Sequence, residues 1–450
     1  MNWFRVLPKV SSFPPGSSVK TRQITMDNLL FREEDDKEED DATLVDLMSV
    51  TKDTSNITSE EFTEAQSAII SDKWDTYNWL VYIEEAENSR SGSISVSDAY
   101  KKFLHQFPRS GKFWKSLADY YIRIDDLISA EQIFHKSLLK CRCISLWQSY
   151  ITFVKKKQIQ LRNEGNLSKD EEKKNIITSF ELALSNIGLF VESDEIYREY
   201  IDFIKEWPES KDLENEQKLF TLRSIYHRAI SVPTESLDIF WKEYEQLERT
   251  ASIALAEKLL PEYNEKFLQA KVTFKDRYKF TSRINFDRIS VPSNKSLQEI
   301  QQLDSWNQWI KFEMSNPENL TPDIHRNMML MLFDQCLCCF LFHPEVWISL
   351  AKFTTGYTEI SAVYKSAIEI IPNSAYLRIA LSEHEEINNK LNDAKETLKV
   401  AFEKMPSAVT FSVYQKFVRR HESIDAARKL FRYAHIYIYY WYILFLLCFA

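Results

Sequence analysis

Glycine is almost missing from this sequence: six residues in 450, where average usage is roughly 7%. No G-x-G-x-x-G and no G-x-x-x-x-G-K-[ST] occurs, so neither standard phosphate-cradling loop is available and no nucleotide cofactor is expected. Cysteine is equally sparse. Cys141, Cys143, Cys336, Cys338, Cys339 and Cys448 are too few and too irregular for a disulfide framework in a chain of this length, which fits a reducing compartment. "CLCC" at 336–339 beside His343 lacks a second pair at zinc-like spacing, so these thiols read as buried and inert, and no metal is expected.

Catalytic signatures are also lacking. His105, His135, His227 and His384 are scattered, neither G-x-S-x-G nor H-E-x-x-H appears, and acid pairs such as Glu84 and Glu85 are ordinary on solvated helix faces. No enzyme activity and no catalytic residue is expected. The opening "MNWFRVLPKVSSFPPGSS" has no apolar run of signal-peptide length. A net charge of −9 is concentrated in "EEDDKEEDD" at 33–41, whose eight acids and one lysine leave the rest of the chain near −2. Global attraction to polyanions is therefore not expected, and contact with RNA would have to come from local patches.

What the chain does have is aromatics, 14% of its residues, set at helical spacing. Trp147, Tyr150 and Phe153 stand three apart, as do Tyr197, Tyr200 and Phe203, then Trp241, Tyr244 and Leu247, then Trp347, Leu350 and Phe353, then Phe411, Tyr414 and Phe417. Trp79 with Tyr82, Trp114 with Leu117, and Trp309 with Phe312 are partial copies. Steps of three put these side chains on one side of a helix. A second helix follows, marked by a small residue, an aromatic or Leu, and then a proline stop: Ala99, Tyr100, Pro108; Ser224, Tyr226, Pro233; Ala362, Tyr364, Pro372; Ala394, Leu398, Pro406. Units start at 79, 114, 147, 197, 241, 309, 347, 376 and 411, mostly within the spacing of a solenoid. The larger gaps are assigned to insertions such as "KKKQIQLRNEGNLSKDEEKK".

Strand-like alternation is scarce, and the fold expected is all-α, a solenoid of tandem helix pairs in two sub-arrays. Residues 1–70, acidic and rich in Ser and Thr, read as a disordered lead-in. A first array covers 71–288, a linker 289–296 carries Pro292 and ends in the capping signature Ser296 to Glu299, and a second array covers 297–431. The seam between helices is expected to be anchored by Trp79, Trp114, Trp147, Tyr197, Trp241, Trp309, Trp347 and Tyr414. Residues 432–450 form an apolar tail. Its uninterrupted run from Ile436 to Ala450 is shorter than the ~20 residues of a spanning helix, and a membrane anchor is not favoured.

"AYKKFLHQFPRSGKFWKSL" at 99–117 mixes cations with aromatics. Tyr100, Phe103, Leu104 and Phe107, then Trp114 and Leu117, make two core-facing stripes split by Pro108, with Ser110 placed to cap the second helix. Arg109, Lys112 and Lys115 form a small basic stripe, the part of this stretch left over for binding. Lys155, Lys156 and Lys157 with Arg162 read as a solvated insertion loop that could also meet phosphate.

A W-x-x-Y first helix paired with a small-residue, aromatic and proline second helix resembles the HAT repeat, the TPR-like module of RNA-processing scaffolds. "LDIFWKEYEQLE", "SVPSNKSLQEIQQLDSWNQWIKFEMSNPENL" and "MLFDQCLCCFLFHPEVWISLAKF" are similar, more particularly, to the large HAT subunit of cleavage stimulation factor, the suppressor-of-forked family. That resemblance implies a nuclear scaffold of pre-mRNA 3'-end cleavage and polyadenylation. It also implies other subunits of that machinery as partners, a homodimer through the second array, and at most indirect contact with pre-mRNA. HAT repeats alone also fit a spliceosomal scaffold of the U1 type. After "ESIDAARKLF" the family pattern would continue with further repeats, so the second array is expected to be truncated here and its dimer interface incomplete.

Overall fold

Every regular element described is a helix, and each proposed unit start falls on the first helix of a pair. The computed structural model describes residues 60–433 except 89–94, 139 and 209–211. In chain order the helices are α1 (Glu60–Ser71), α2 (Thr76–Asn88), α3 (Val96–Gln106), α4 (Gly111–Arg123), α5 (Leu127–Leu138) and α6 (Ile144–Asn163). There follow α7 (Lys169–Ile187), α8 (Asp194–Glu206), α9 (Asp212–Ala229), α10 (Leu237–Ala251), α11 (Ile253–Thr281) and α12 (Leu297–Met314). The last are α13 (Pro322–Cys339), α14 (Pro344–Phe353), α15 (Tyr357–Ile370), α16 (Ala375–Ile387), α17 (Leu391–Lys404) and α18 (Ala408–His421). Residues 424–433 are helical as well and supply a partner for α18.

Each helix packs on the next, and α4 also reaches α6, α14 reaches α16, and α16 reaches α18. Contact between successive first helices is the geometry of stacked helix pairs, an α-solenoid. The local cause is visible in α4, where Trp114, Leu117, Ala118 and Tyr121 are buried at i, i+3, i+4 and i+7. The helix stops where Asp125 turns to φ 64°, a conformation that Asp tolerates better than most residues. Before it, α3 buries Ala99, Tyr100, Phe103 and Leu104 and ends ahead of Pro108. Phe103 then meets Phe113 with ring centroids 4.2 Å apart, and Trp79 at 5.8 Å. Each such fully buried side chain contributes about 1.5–3 kcal/mol by transfer from water.

Several boundaries differ from the sequence expectation. Helix α1 lies inside the stretch assigned to the lead-in, and it buries Phe62, Ala65 and Ile69 at steps of three and four, so the ordered array starts earlier than residue 71. Residues 1–59 lie outside the described part. The supposed insertion loop after Val154 is mostly helix. α6 runs on to Asn163 and α7 begins at Lys169, capped reciprocally by Ser168 and Glu171, so the long gap between units reflects long helices. Helix α11 continues through Pro261, although an interior proline removes a hydrogen bond and costs roughly 3 kcal/mol. The proline ring sits on the exposed side.

Ser110 does stand at the N-cap of α4, but its side chain makes no cap hydrogen bond. Ser296, by contrast, accepts from the Glu299 amide at 3.2 Å, as its motif predicted. The Glu299 carboxylate turns away from the cap and takes the Asn294 amide at 3.1 Å. Segment 289–296 has no regular secondary structure, yet Ser290 is buried and its hydroxyl accepts from the Leu341 amide at 2.8 Å. Phe280, Ile284 and Phe286 pack into the same core cluster as α12–α16. The second array's core therefore begins before the proposed linker. Of the tail, 434–450 lie outside the described residues.

Candidate interaction surfaces and the repeat seam

Seven of the eight expected anchors are buried: Trp79, Trp114, Trp147, Tyr197, Trp309, Trp347 and Tyr414 are each no more than 7% exposed. Trp241 is the exception. The buried stripe of α10 is Leu237, Phe240, Tyr244 and Glu248, and one position beyond Phe240 the helix has turned by about 100°. Trp241 is left half-buried on the flank, stacked on Phe267 at 4.9 Å. Trp306, not among the expected anchors, is fully buried and meets Trp309 at 5.3 Å. Of the small residues marked in the sequence, Ala99 and Ala394 are buried and Ala362 partly so, whereas Ser224 is exposed and Ala229 on the same helix is buried.

The indoles do more than fill space. Trp79 Nε1 donates to the Lys73 carbonyl at 3.0 Å, Trp114 Nε1 to Pro108 at 2.8 Å and Trp347 Nε1 to Leu341 at 2.8 Å. In each case the acceptor lies six residues upstream, in the turn that delivers the first helix. Tryptophan thus combines a large apolar ring with a donor for a carbonyl that the turn would otherwise leave unpaired. In the unit starting at 376, one of three without a leading tryptophan, Arg378 Nη2 makes the same reach to Pro372 at 3.2 Å. Tyrosine hydroxyls add a second link, each reaching an acid on the adjacent helix. Tyr100 donates to Glu87 at 2.6 Å, Tyr200 to Glu181 at 3.1 Å and Tyr226 to Glu243 at 2.7 Å. Burial, and then these carboxylates, push all three phenols up; burial first, then Glu131, takes Tyr150 up to about 12.

The cations singled out in the sequence largely face acids. In the basic stripe, Lys115 lies 3.1 Å from Asp119 and Lys112 3.8 Å from Asp287. Lys155 pairs with Glu199 at 2.6 Å, Lys156 with Asp125 at 2.7 Å, Lys157 with Glu131 at 2.7 Å and Arg162 with Glu172 at 2.8 Å. The triple lysine projects from α6 and ties neighbouring helices together, which is a different role from the solvated loop expected.

Cysteines far apart in sequence meet. Cys141 Sγ donates to the Pro108 carbonyl at 3.6 Å; interaction with the neighbouring Cys338 thiol, and then burial, push Cys141 up, while the same interaction, with Arg109 nearby, lowers Cys338. Cys339 Sγ reaches the Phe286 carbonyl at 3.4 Å. Among the described residues no group of three or more His, Cys, Asp or Glu is disposed to hold a metal ion.

These thiols mark a place where the chain returns on itself. Trp74 meets Phe342 at 4.9 Å, and Arg142 pairs with Asp334 at 3.1 Å. The second array is joined to α11 by a buried charge network. Arg277, 2% exposed, donates from Nε to Glu313 at 2.5 Å and from Nη2 to Glu313 at 2.9 Å and to Glu318. Trp309 Nε1 donates to the same Glu313 at 2.8 Å. Burial pushes Glu318 upward despite Arg277. No described helix is long and apolar enough to cross a membrane.

Stacked pairs with aromatic seams and ion-paired flanks define a helical-repeat protein. More particularly, the chain belongs to the suppressor-of-forked family, because the family model for the suppressor of forked protein (Suf) matches residues 60–445. Cleavage stimulation factor subunit 77 of Arabidopsis thaliana is 30% identical over 78% of this chain and 48% of its own length. The mRNA 3'-end-processing protein rna14 of Emericella nidulans is 30% identical over 69% of this chain and 30% of its own. A crystal structure of CSTF-77 aligns with a TM-score of 0.46 at 17% identity, over 72% of this chain and 80% of that one. This chain therefore spans half or less of the length of those two relatives.

Proposed function

We propose that this chain is a non-catalytic scaffold of the nuclear machinery that cleaves and polyadenylates pre-mRNA, holding other subunits on its helix-pair surfaces. Membership of the suppressor-of-forked family across nearly all described residues carries the reading. The fold supports it, since tandem pairs with a buried seam leave the outer helix faces for partners. Self-association through 297–431 belongs to the same proposal, and sedimentation of the purified chain tests it. For Arg109, Lys112 and Lys115, the carboxylates facing Lys112 and Lys115 favour a protein contact over RNA phosphate.

Affinity purification from nuclear extract, with protein identification by mass spectrometry, tests the main reading. Recovery of cleavage and polyadenylation subunits is the expected result. Recovery of U1 particle proteins in their place would overturn it in favour of a spliceosomal scaffold.

A further inference from the structure

Where α7, α10, α11, α12 and α13 come together, a cavity of about 370 Å³ opens. Its walls are the turn after α7 (Phe190, Glu192), the start of α8 (Asp194, Glu195), Glu235 ahead of α10, the last turns of α11 (Phe274, Tyr278), and Phe286, Trp309 and Gln335. No lysine, arginine or histidine lines it. Tyr278 is 55% exposed, with its ring 5.8 Å from that of Phe274.

Charge here is one-sided. Asp194 accepts from the Ser236 hydroxyl at 2.5 Å and Glu195 from the Gln148 amide. Neither of these, nor Glu192 or Glu235, forms an ion pair with a cation among the described residues. Just outside, Asp287 adds a further negative charge, met only by Lys112 at 3.8 Å. Partial burial, and then the charges of Asp287, Asp194 and Glu195, push Glu192 upward. The inner wall offers Gln335 Oε1, a buried carbonyl oxygen with no hydrogen-bond partner among the described residues. No cation lies over Phe190, Phe274, Tyr278, Phe286 or Trp309, whereas rings such as Phe240 and Phe340 are each covered by an arginine at under 5 Å.

We propose that this cavity is a docking site for an arginine side chain presented by a basic peptide segment of a partner protein. A guanidinium supplies planar donors for the carboxylates and for the Gln335 carbonyl, and a flat, weakly hydrated face for the rings. An ammonium would satisfy the charge but not the stacking. The volume is at the small end of ligand pockets and suits one side chain with its stem rather than a folded domain. Its biological use rests on the scaffold reading; its chemistry does not.

Fluorescence anisotropy with the whole chain tests the site. The probe is a short fluorescein-labelled arginine peptide in an alanine–glycine background, with the citrulline peptide as its neutral isostere. Saturable, salt-sensitive binding of the arginine peptide alone is expected. Glu192→Gln with Glu235→Gln should weaken it about tenfold, and Tyr278→Ala about threefold. Glu257→Gln with Glu265→Gln removes the same charge from an exposed part of α11 and should leave binding unchanged. Absence of binding, equal binding of citrulline, or equal loss in the two double variants would overturn the proposal. These outcomes are separate from the extract purification, whose failure would remove the scaffold reading and leave the anisotropy result intact.

Discussion

Replacing Arg277 with methionine should damage this protein more than any surface substitution, and the structure says by how much. Arg277 is buried, and its guanidinium makes three charge-assisted contacts, two to Glu313 and one to Glu318. Methionine fills much of the volume but leaves both carboxylates without their counter-charge, Glu313 at 1% exposure. Breaking a buried pair in this way costs about 3–5 kcal/mol, most of it the desolvation of the orphaned charge. The loss should be local, because α11 and α12 are tied by this network, so hydrogen exchange read peptide by peptide is the better assay for a repeat array. Amides from 270–281 and 306–320 should lose protection by that amount, while those of α4 and α6 should not. The pH dependence has a definite sign. Burial raises Glu318 above its ordinary range even with Arg277 present, and without the arginine it rises further. A carboxyl raised in the folded state binds protons more tightly there than in the unfolded chain, so the deficit of the variant shrinks as pH falls and grows as pH rises through the raised pKa. Adding Glu313→Gln and Glu318→Gln should restore at least half of the loss. A deficit under about 1 kcal/mol, or one independent of pH, would refute the assignment of an obligatory buried pair.

Three further expectations are open to simpler tests. Trp347→Phe keeps a ring in the seam but deletes the donor to the Leu341 carbonyl, and should cost about 1–3 kcal/mol in chemical denaturation. Trp79→Ala should cost about 3–5 kcal/mol, and Trp241→Ala clearly less because Trp241 is only half-buried; equal losses would contradict the register found for α10. For His227, stacked on Tyr263 at 3.6 Å, burial pushes the imidazole down to about 4. The unfolded chain then takes up the proton first, so thermal stability should fall as pH drops from about 6.5 towards 4, and His227→Gln should flatten that part of the profile.

The repeat itself was legible because one physical rule, burial of an aromatic face at helical spacing, is written locally in most first helices. Trp147, Tyr150 and Phe153 needed no partner to be recognised as a stripe. What failed were the places where a residue's role is set by something distant. Trp241 sits beside the true stripe and not on it, a difference of one position that only the location of Phe267 decides. The lysines at 155–157 looked like a loop because their acids, Asp125, Glu131 and Glu199, lie elsewhere in the chain. Pro261 gave no sign that its helix would carry on. The cavity draws residues from five separated segments, none with a motif of its own, and the meeting of Cys141 with Cys338 has no local signature.

The return contacts of the early turns with the end of α13 change what kind of mechanical object this array is. In an open stack each pair answers only to its neighbours, and unfolding creeps in from a free end. Trp74 against Phe342 and Arg142 against Asp334 tie the early turns directly to α13 and the residues just after it. A disturbance in the first pairs is then felt directly at α13 without passing through the pairs between them. The molecule has to form these ties across a long loop, which slows folding. Once they are made, fraying at the early pairs must also break the contacts on α13, and a partner that engages either face alters the other.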